Sequence, residues 1–215
     1  MDRFREQLSS FEDLELFRQT IGYPGTMAAN KIRTSLDDGA RAFIAQTPFI
    51  VISTSDADGS CDSSPRGDAP GFVYVLDDTH LFIPERPGNR ILDSVRNILS
   101  NPSIGILFMI PGLEETFRIN GRACVTRDPE LLRLTAVRGK EPLMGIGVEI
   151  EECYMHCGKS LKRSGLWDQE TWLSPEARVS ASKLLAAHIS ANTQTSISVD
   201  EVDKSLQESY TKRLY

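Results

Sequence analysis

A chain of 215 residues, 40% hydrophobic and 25% charged, is long enough to bury one sizeable core and too ordinary in composition to be disordered. Its formal net charge of −6 argues against a nucleic-acid or anionic-membrane surface, because either partner is met by an excess of Lys and Arg. The longest apolar runs, such as Ile104 to Ile110, fall far short of the roughly 20 residues of a membrane helix.

The opening Met1-Asp2-Arg3-Phe4-Arg5-Glu6 has no apolar signal-peptide region. Cys61, Cys124, Cys153 and Cys157 are therefore expected to be free thiols in a cytoplasmic protein. Ser10, with Asp13 in the first turn, predicts a helix that Gly22, Pro24 and Gly25 end. A second helical stretch is expected through Met27 to Leu36 and, past Gly39, through Ala40 to Ala45.

The character then changes. Phe49 to Thr54 is apolar and β-branched, and Asp56-Ala57-Asp58-Gly59 is turn chemistry. Further strands are predicted at Cys61–Arg66, Phe72–Leu76, Leu81–Pro84, Ile104–Ile110, Glu115–Val125 and Gly145–Met155, with turns or bends at Asp77-Asp78, Pro111-Gly112 and Asn120-Gly121. Helical spacing of Ile91, Leu92, Val95, Ile98 and Leu99 predicts a helix from Asn89, the proposed cap, to Leu99. Asp128-Pro129 opens another, to Val137. Two helical stretches follow Pro175, the second starting on the capping box Ser198-Val199-Asp200-Glu201. The boundaries expected are a helical extension over 1–46, a strand-rich body over 47–172 and a helical extension over 173–215. Many short strands around one inserted helix favour a small antiparallel barrel.

Two segments suggest a ligand. Pro84-Glu85-Arg86-Pro87-Gly88-Asn89-Arg90 lies where a strand gives way to a helix, so free N–H groups, the helix dipole and guanidinium forks can hold a phosphate there. The same residues also read as a solvated loop before a capped helix. Ser63-Ser64-Pro65-Arg66-Gly67-Asp68-Ala69-Pro70-Gly71 reads as a long hairpin loop or as backbone shaped for a flat ligand. Arg118 and Arg122 share a strand face and fit either a surface pair with Glu114 and Glu115 or a ligand contact. Trp167 fits core packing as well as a cofactor lid. His156 with Cys153 and Cys157 lacks a second ligand pair, so no metal is expected. Gly145-Ile146-Gly147 lacks the third glycine of a dinucleotide loop.

Together with Glu115-Thr116-Phe117-Arg118-Ile119-Asn120-Gly121-Arg122-Ala123 and His156-Cys157-Gly158-Lys159-Ser160-Leu161-Lys162-Arg163-Ser164-Gly165-Leu166-Trp167, these segments resemble, in order and spacing, the pyridoxamine-phosphate-oxidase-like FMN-binding proteins over roughly Phe43 to Trp172. The similarity is strongest to a subfamily with S-P-R-G-D, R-P-G-N-R and H-C-x-K-x-x-x-R-S-x-L-W signatures. It implies a six-stranded antiparallel split β-barrel with N- and C-terminal helical additions, forming a homodimer with FMN at the subunit interface. It also implies that Arg66, Arg86, Asn89 and Arg90 hold the FMN phosphate, that Ser64 and Thr116 face the ring edge, and that Lys159 and Trp167 reach it from the other subunit; Arg118 is a further candidate contact from its place on the strand.

The function so implied is an FMN-dependent oxidoreductase working between a small-molecule substrate or nicotinamide donor and a second acceptor. The flavin performs the chemistry and no side-chain acid or base is assigned. The alternative is a non-catalytic flavin or haem carrier on the same fold. Pyridoxamine 5'-phosphate oxidase proper is a third reading, weakened because Tyr210-Thr211-Lys212-Arg213-Leu214-Tyr215 lacks the arginine–histidine pair that grips that substrate.

Overall fold

In the computed structural model, which describes residues 3–215, the first helix begins where Ser10 can satisfy an orphan backbone donor. In α1 (Phe11–Ile21) the Ser10 hydroxyl accepts from the Asp13 N–H and the Asp13 carboxylate accepts from the Ser10 N–H, a reciprocal cap. Gly22, at φ 84°, ends it. A single turn, α2 (Thr26–Ala29), follows. These helices belong to a unit spanning Met1–Ile32, and α1 buries none of its own residues.

The second unit is Arg33–Tyr215. The helix expected to run on to Leu36 is absent. The Arg33 N–H donates to the Cys153 carbonyl (3.0 Å), Cys153 N–H returns the bond (2.7 Å), and Leu36 N–H donates to Asp78 (2.8 Å). Backbone groups spent on these partners cannot close a helix. α3 (Asp38–Gln46) starts only after Asp37, whose carboxylate caps the Ala40 N–H, and it buries Ala40 and Ile44.

Seven antiparallel strands follow among the described residues: β1 (Phe49–Ser55), β2 (Cys61–Gly67), β3 (Tyr74–Val75), β4 (His80–Pro84), β5 (Ser103–Met109), β6 (Thr116–Thr126) and β7 (Gly145–His156). They form one sheet in the order β2-β1-β5-β6-β7-β4-β3. Alternation puts Ile50 and Ile52 of β1, and Ile104, Ile106 and Phe108 of β5, into the core while their neighbours remain half-buried or exposed. At Asn120/Gly121 the β6–β7 register slips by one residue. A Cβ on Gly121 would lie 2.0 Å from the Glu149 carbonyl oxygen, so only glycine fits this bulge.

The six-stranded barrel expected from the resemblance differs from this sheet in two respects. The sheet has seven strands, and its two end strands β2 and β3 do not pair with each other. The chain from β2 instead meets the chain leaving β4 through side chains: Arg66 with Glu85 and Asp68 with Arg86.

α4 (Asp93–Ser100) packs on β1, β2 and β6, burying Ser94, Val95, Asn97 and Ile98. α5 (Pro129–Leu134) opens on the Asp128 cap and Pro129 as the sequence indicates, then stops short of Val137, which turns back to pair with Lys140. α6 (Lys159–Ser164) follows β7 directly. α7 (Ala181–Thr193) and α8 (Val199–Lys212) pack on one another through Ala186 and Val202, with the Ser182 hydroxyl donating to Asp203 at 2.9 Å. Ser198 and Glu201 form the expected capping box. Among the described residues no helix is long and apolar enough to cross a membrane.

Candidate functional site

Strand β2 has an unusual inner face. Its register pairs Thr54 with Asp62, Ile52 with Ser64 and Ile50 with Arg66, so three polar side chains share the side on which Ile50 and Ile52 are fully buried. Polar groups placed there must be paired. Asp62 accepts from Asn97 Nδ2 (2.7 Å) and from the Thr54 hydroxyl (3.3 Å), fixing α4 on the strand. Arg66 donates through Nη1 to the Ser64 hydroxyl (2.5 Å) and through Nε to Glu85 (3.1 Å).

One residue further along, Arg86 Nε donates to Asp68 Oδ2 at 2.6 Å. The two pairs form a seam between the end of β2 and the chain leaving β4. Their side chains are 16% and 15% exposed for Arg66 and Glu85, and 15% and 2% for Arg86 and Asp68, so each charge depends on its partner far more than at an open surface. Burial pushes the Asp68 carboxyl up. The hydrogen bonds from Tyr215, Ala69 and Arg86, with the Arg86 charge, outweigh this and hold it below the usual range.

The loop that follows corrects the expected helix start. Asn89 is not the cap of α4: its side-chain oxygen accepts from the Ile91 N–H two residues on (3.0 Å), a local turn that competes with helix. Arg90 (φ 65°) and Leu92 (φ 62°) are left-handed, and the helix begins only at Asp93, with Leu92 as a cap that makes no side-chain bond. Asn89 and Arg90 are exposed loop residues, and Arg90 precedes the observed cap, Leu92, by two residues instead of following it. Ile91, Leu92 and Leu99, expected on the apolar face, are exposed.

Ser94 in the first turn of α4 is buried, and its hydroxyl is the one buried side-chain oxygen or nitrogen without a hydrogen-bond partner among the described residues. It falls in the stretch between Glu85, anchored at Arg66, and Asn97, anchored at Asp62. Arg66, Arg86 and Ser94, with the uncapped first turn of α4, retain N–H and O–H donors suited to an oxyanion such as a phosphate. Because Glu85 and Asp68 balance the two guanidinium charges, the seam offers directed donors rather than net positive charge.

The remaining predicted residues lie elsewhere. The pairings Val51–Leu107–Arg118 put Arg118, and Thr116 two residues before it, on the sheet face opposite Ser64 and Arg66. Thr116 is buried there. Arg118 pairs with Asn120 (3.0 Å), Glu152 (3.8 Å) and the Tyr154 ring (5.3 Å), and not with Glu114 or Glu115. Lys159 is exposed at the start of α6. Trp167 is half-buried, and its indole N–H donates to the Leu113 carbonyl of its own chain (2.9 Å). Lys162 pairs with Glu114 at 2.9 Å, so α6 and Trp167 are tied to the β5–β6 turn.

One chain thus gathers Ser64, Arg66 and Arg86, with Asn89 and Arg90 on the adjoining loop, and holds Thr116, Arg118, Lys159 and Trp167 apart. Residue reading missed Asp68, Glu85 and Tyr215 as partners of the predicted arginines, and the unpartnered Ser94. Asp68 and Glu85 stood inside the quoted motifs with no role, whereas nothing in the sequence marks a helical serine as lacking a partner.

No curated protein matches the chain. Similar solved structures include HupZ from Group A Streptococcus, 17% identical over 55% of this chain and 91% of that one with a TM-score of 0.46. Another is an FMN-binding protein from Syntrophomonas wolfei, 13% identical over 55% and 84%, TM-score 0.43. HutZ, the haem storage protein of Vibrio cholerae, is 16% identical over 56% and 93%, TM-score 0.41. The family model for pyridoxamine 5'-phosphate oxidase matches residues 36–157, more than half of the chain and the whole stretch from α3 through β7, and the protein belongs to that family.

Proposed function

We propose that the protein binds FMN, with its phosphate at the seam of Arg66, Arg86 and Ser94, and acts as an FMN-dependent oxidoreductase on a small organic substrate or nicotinamide donor. The observation that carries this reading is the seam itself, two largely buried guanidinium groups with donors to spare; the uncapped start of α4 and the unpartnered Ser94 hydroxyl, which follow it in the chain, are assigned to the same ligand as part of the proposal. Bound flavin supplies the redox chemistry. The residues of this chain hold the phosphate, orient the ring and exclude water.

The split between the two faces of the sheet supports a site shared by two copies. Ser64 and Arg66 face inward, whereas Thr116 and Arg118 face outward, so one ligand can meet both groups only if a second chain brings its outer face to the first. That face carries Phe49, Val51, Leu107 and Met109, all incompletely buried, which gives a second copy apolar surface to cover. In this arrangement Lys159, exposed at the start of α6, would come from the neighbouring subunit, where its ammonium would favour negative charge on a bound flavin.

The absorption spectrum of the purified protein tests the reading. Flavin bands at roughly 370 and 450 nm, with FMN released on denaturation and reduction by a nicotinamide donor, are expected. A Soret band with no flavin uptake would overturn it in favour of a haem carrier. Light scattering with and without FMN tests the shared site, since a ligand bound only by the dimer must stabilise the dimer. A monomer that keeps full FMN affinity contradicts it.

A further inference from the structure

Asp68 has a third partner far away in sequence. The Tyr215 hydroxyl donates to Asp68 Oδ1 at 2.7 Å, the Ala69 N–H donates to the same oxygen at 2.8 Å, and Arg86 takes the other. Tyr215 is held at two further points. Arg138 lies over its ring at 5.0 Å, and Lys140 Nζ donates to its main-chain oxygen at 2.8 Å.

Both basic residues come from one tight turn. Val137 and Lys140 exchange backbone hydrogen bonds (3.0 and 2.9 Å) around Arg138 and Gly139, whose φ values of 52° and 75° are left-handed. A two-residue turn of this kind needs positive φ at both positions, and an arginine in one of them is uncommon. The turn places cationic groups on two sides of one tyrosine, whose hydroxyl end reaches the seam.

We infer that Tyr215 is a positioning residue for Arg86, acting through Asp68, and that docking of the segment after α8 is coupled to occupation of the seam by a phosphate-bearing ligand. The inference rests on the seam being the phosphate site. With Asp68 held from one side by the tyrosine hydroxyl and from within by Ala69, its second oxygen fixes Arg86 Nε, leaving both terminal nitrogens of that guanidinium to meet an anion. Loss of the hydroxyl leaves a nearly inaccessible carboxylate one donor short, with Oδ1 held by the Ala69 N–H alone, and the direction of Arg86 is less firmly set. Because the coupling is reciprocal, an anion that fixes Arg86 also favours the docked tyrosine.

The test combines binding with hydrogen exchange of residues 209–215. Tyr215→Phe, which keeps the ring under Arg138, is expected to weaken FMN about 3- to 10-fold, within the range of one ordinary hydrogen bond. Riboflavin affinity should be unchanged, an asymmetry that a general packing role would not produce. In wild-type protein both FMN and inorganic phosphate should slow exchange of 209–215, riboflavin should not, and Arg86→Ala should abolish the slowing. If phosphate slows exchange but FMN does not bind, the flavin reading fails and the coupling stands. If neither phosphate nor FMN alters exchange, the coupling is overturned whether or not FMN binds. Equal losses of FMN and riboflavin in Tyr215→Phe would likewise reduce Tyr215 to a packing residue.

Discussion

The seam and the outer sheet face carry similar residue types in opposite circumstances. Arg66 and Arg86 sit at 16% and 15% exposure against carboxylates at 15% and 2%, whereas Arg118 meets Glu152 at 3.8 Å with 40% and 35% of the side chains exposed. The first arrangement is dry and directed, so its charges are tied to structure and to whatever ligand takes the remaining donors. The second is wet and screened. An arginine on a strand therefore means different things according to the face it occupies, and face follows from register, which shifts every side chain if it slips by one residue.

The largest expected break in that contrast is Asp68→Ala. It leaves Arg86 largely buried without its counter-charge, and a loss of about 3–5 kcal/mol in urea unfolding is expected. The pH dependence has a definite sign. The Asp68 carboxyl is held below its ordinary 3.8, so the stability it contributes is complete above that value and declines as pH falls through the lowered one. The stability difference between wild type and Asp68→Asn should accordingly be flat from neutral pH down to about 4 and shrink below it.

Ser94→Ala sharpens the contrast from another side, because its two effects have opposite signs. Removing an unpartnered buried hydroxyl should raise the stability of the free protein by about 1 kcal/mol. The same change should weaken FMN by about tenfold or more, the loss of one hydrogen bond to a charged group. A variant that binds FMN as wild type would take Ser94 out of the site. The smallest effect belongs to the outer face. Arg118→Ala should cost at most about 1 kcal/mol of stability in the separated chain, and a larger loss that depends on protein concentration would place Arg118 at a subunit interface.

Much of the frame was legible because its signals are local. Ser10 with Asp13, Asp128 with Pro129, and Ser198 with Glu201 each satisfy donors within one helical turn, and the strand alternation of Phe49–Ser55 needs no distant partner. The expectation at Asn89 failed because the same side chain that caps a helix also closes a two-residue turn, and the left-handed Arg90 and Leu92 that decide between them carry no sequence mark. Residues 31–36 read as helix until the Cys153 backbone, well over a hundred positions away, takes the Arg33 groups. The nine candidate residues could be found from motifs. The division of Ser64 and Arg66 from Thr116 and Arg118 between two faces required the pairing of Ile52 with Ser64 and of Leu107 with Arg118, and the partnership of Asp68 with Tyr215 joins segments that no motif spans.

In the proposed site the seam, and not the exposed loop after it, holds the phosphate. Parallel titration of FMN and riboflavin into apo wild type, Arg66→Ala and Arg90→Ala tests it most directly. Arg66→Ala should lose about 1.5–3 kcal/mol for FMN, roughly 10- to 150-fold, and almost nothing for riboflavin, which has no phosphate. Arg90→Ala, exposed and left-handed on the loop, should lose distinctly less. Equal losses for the two flavins in Arg66→Ala, or a larger phosphate-specific loss in Arg90→Ala, would contradict the account.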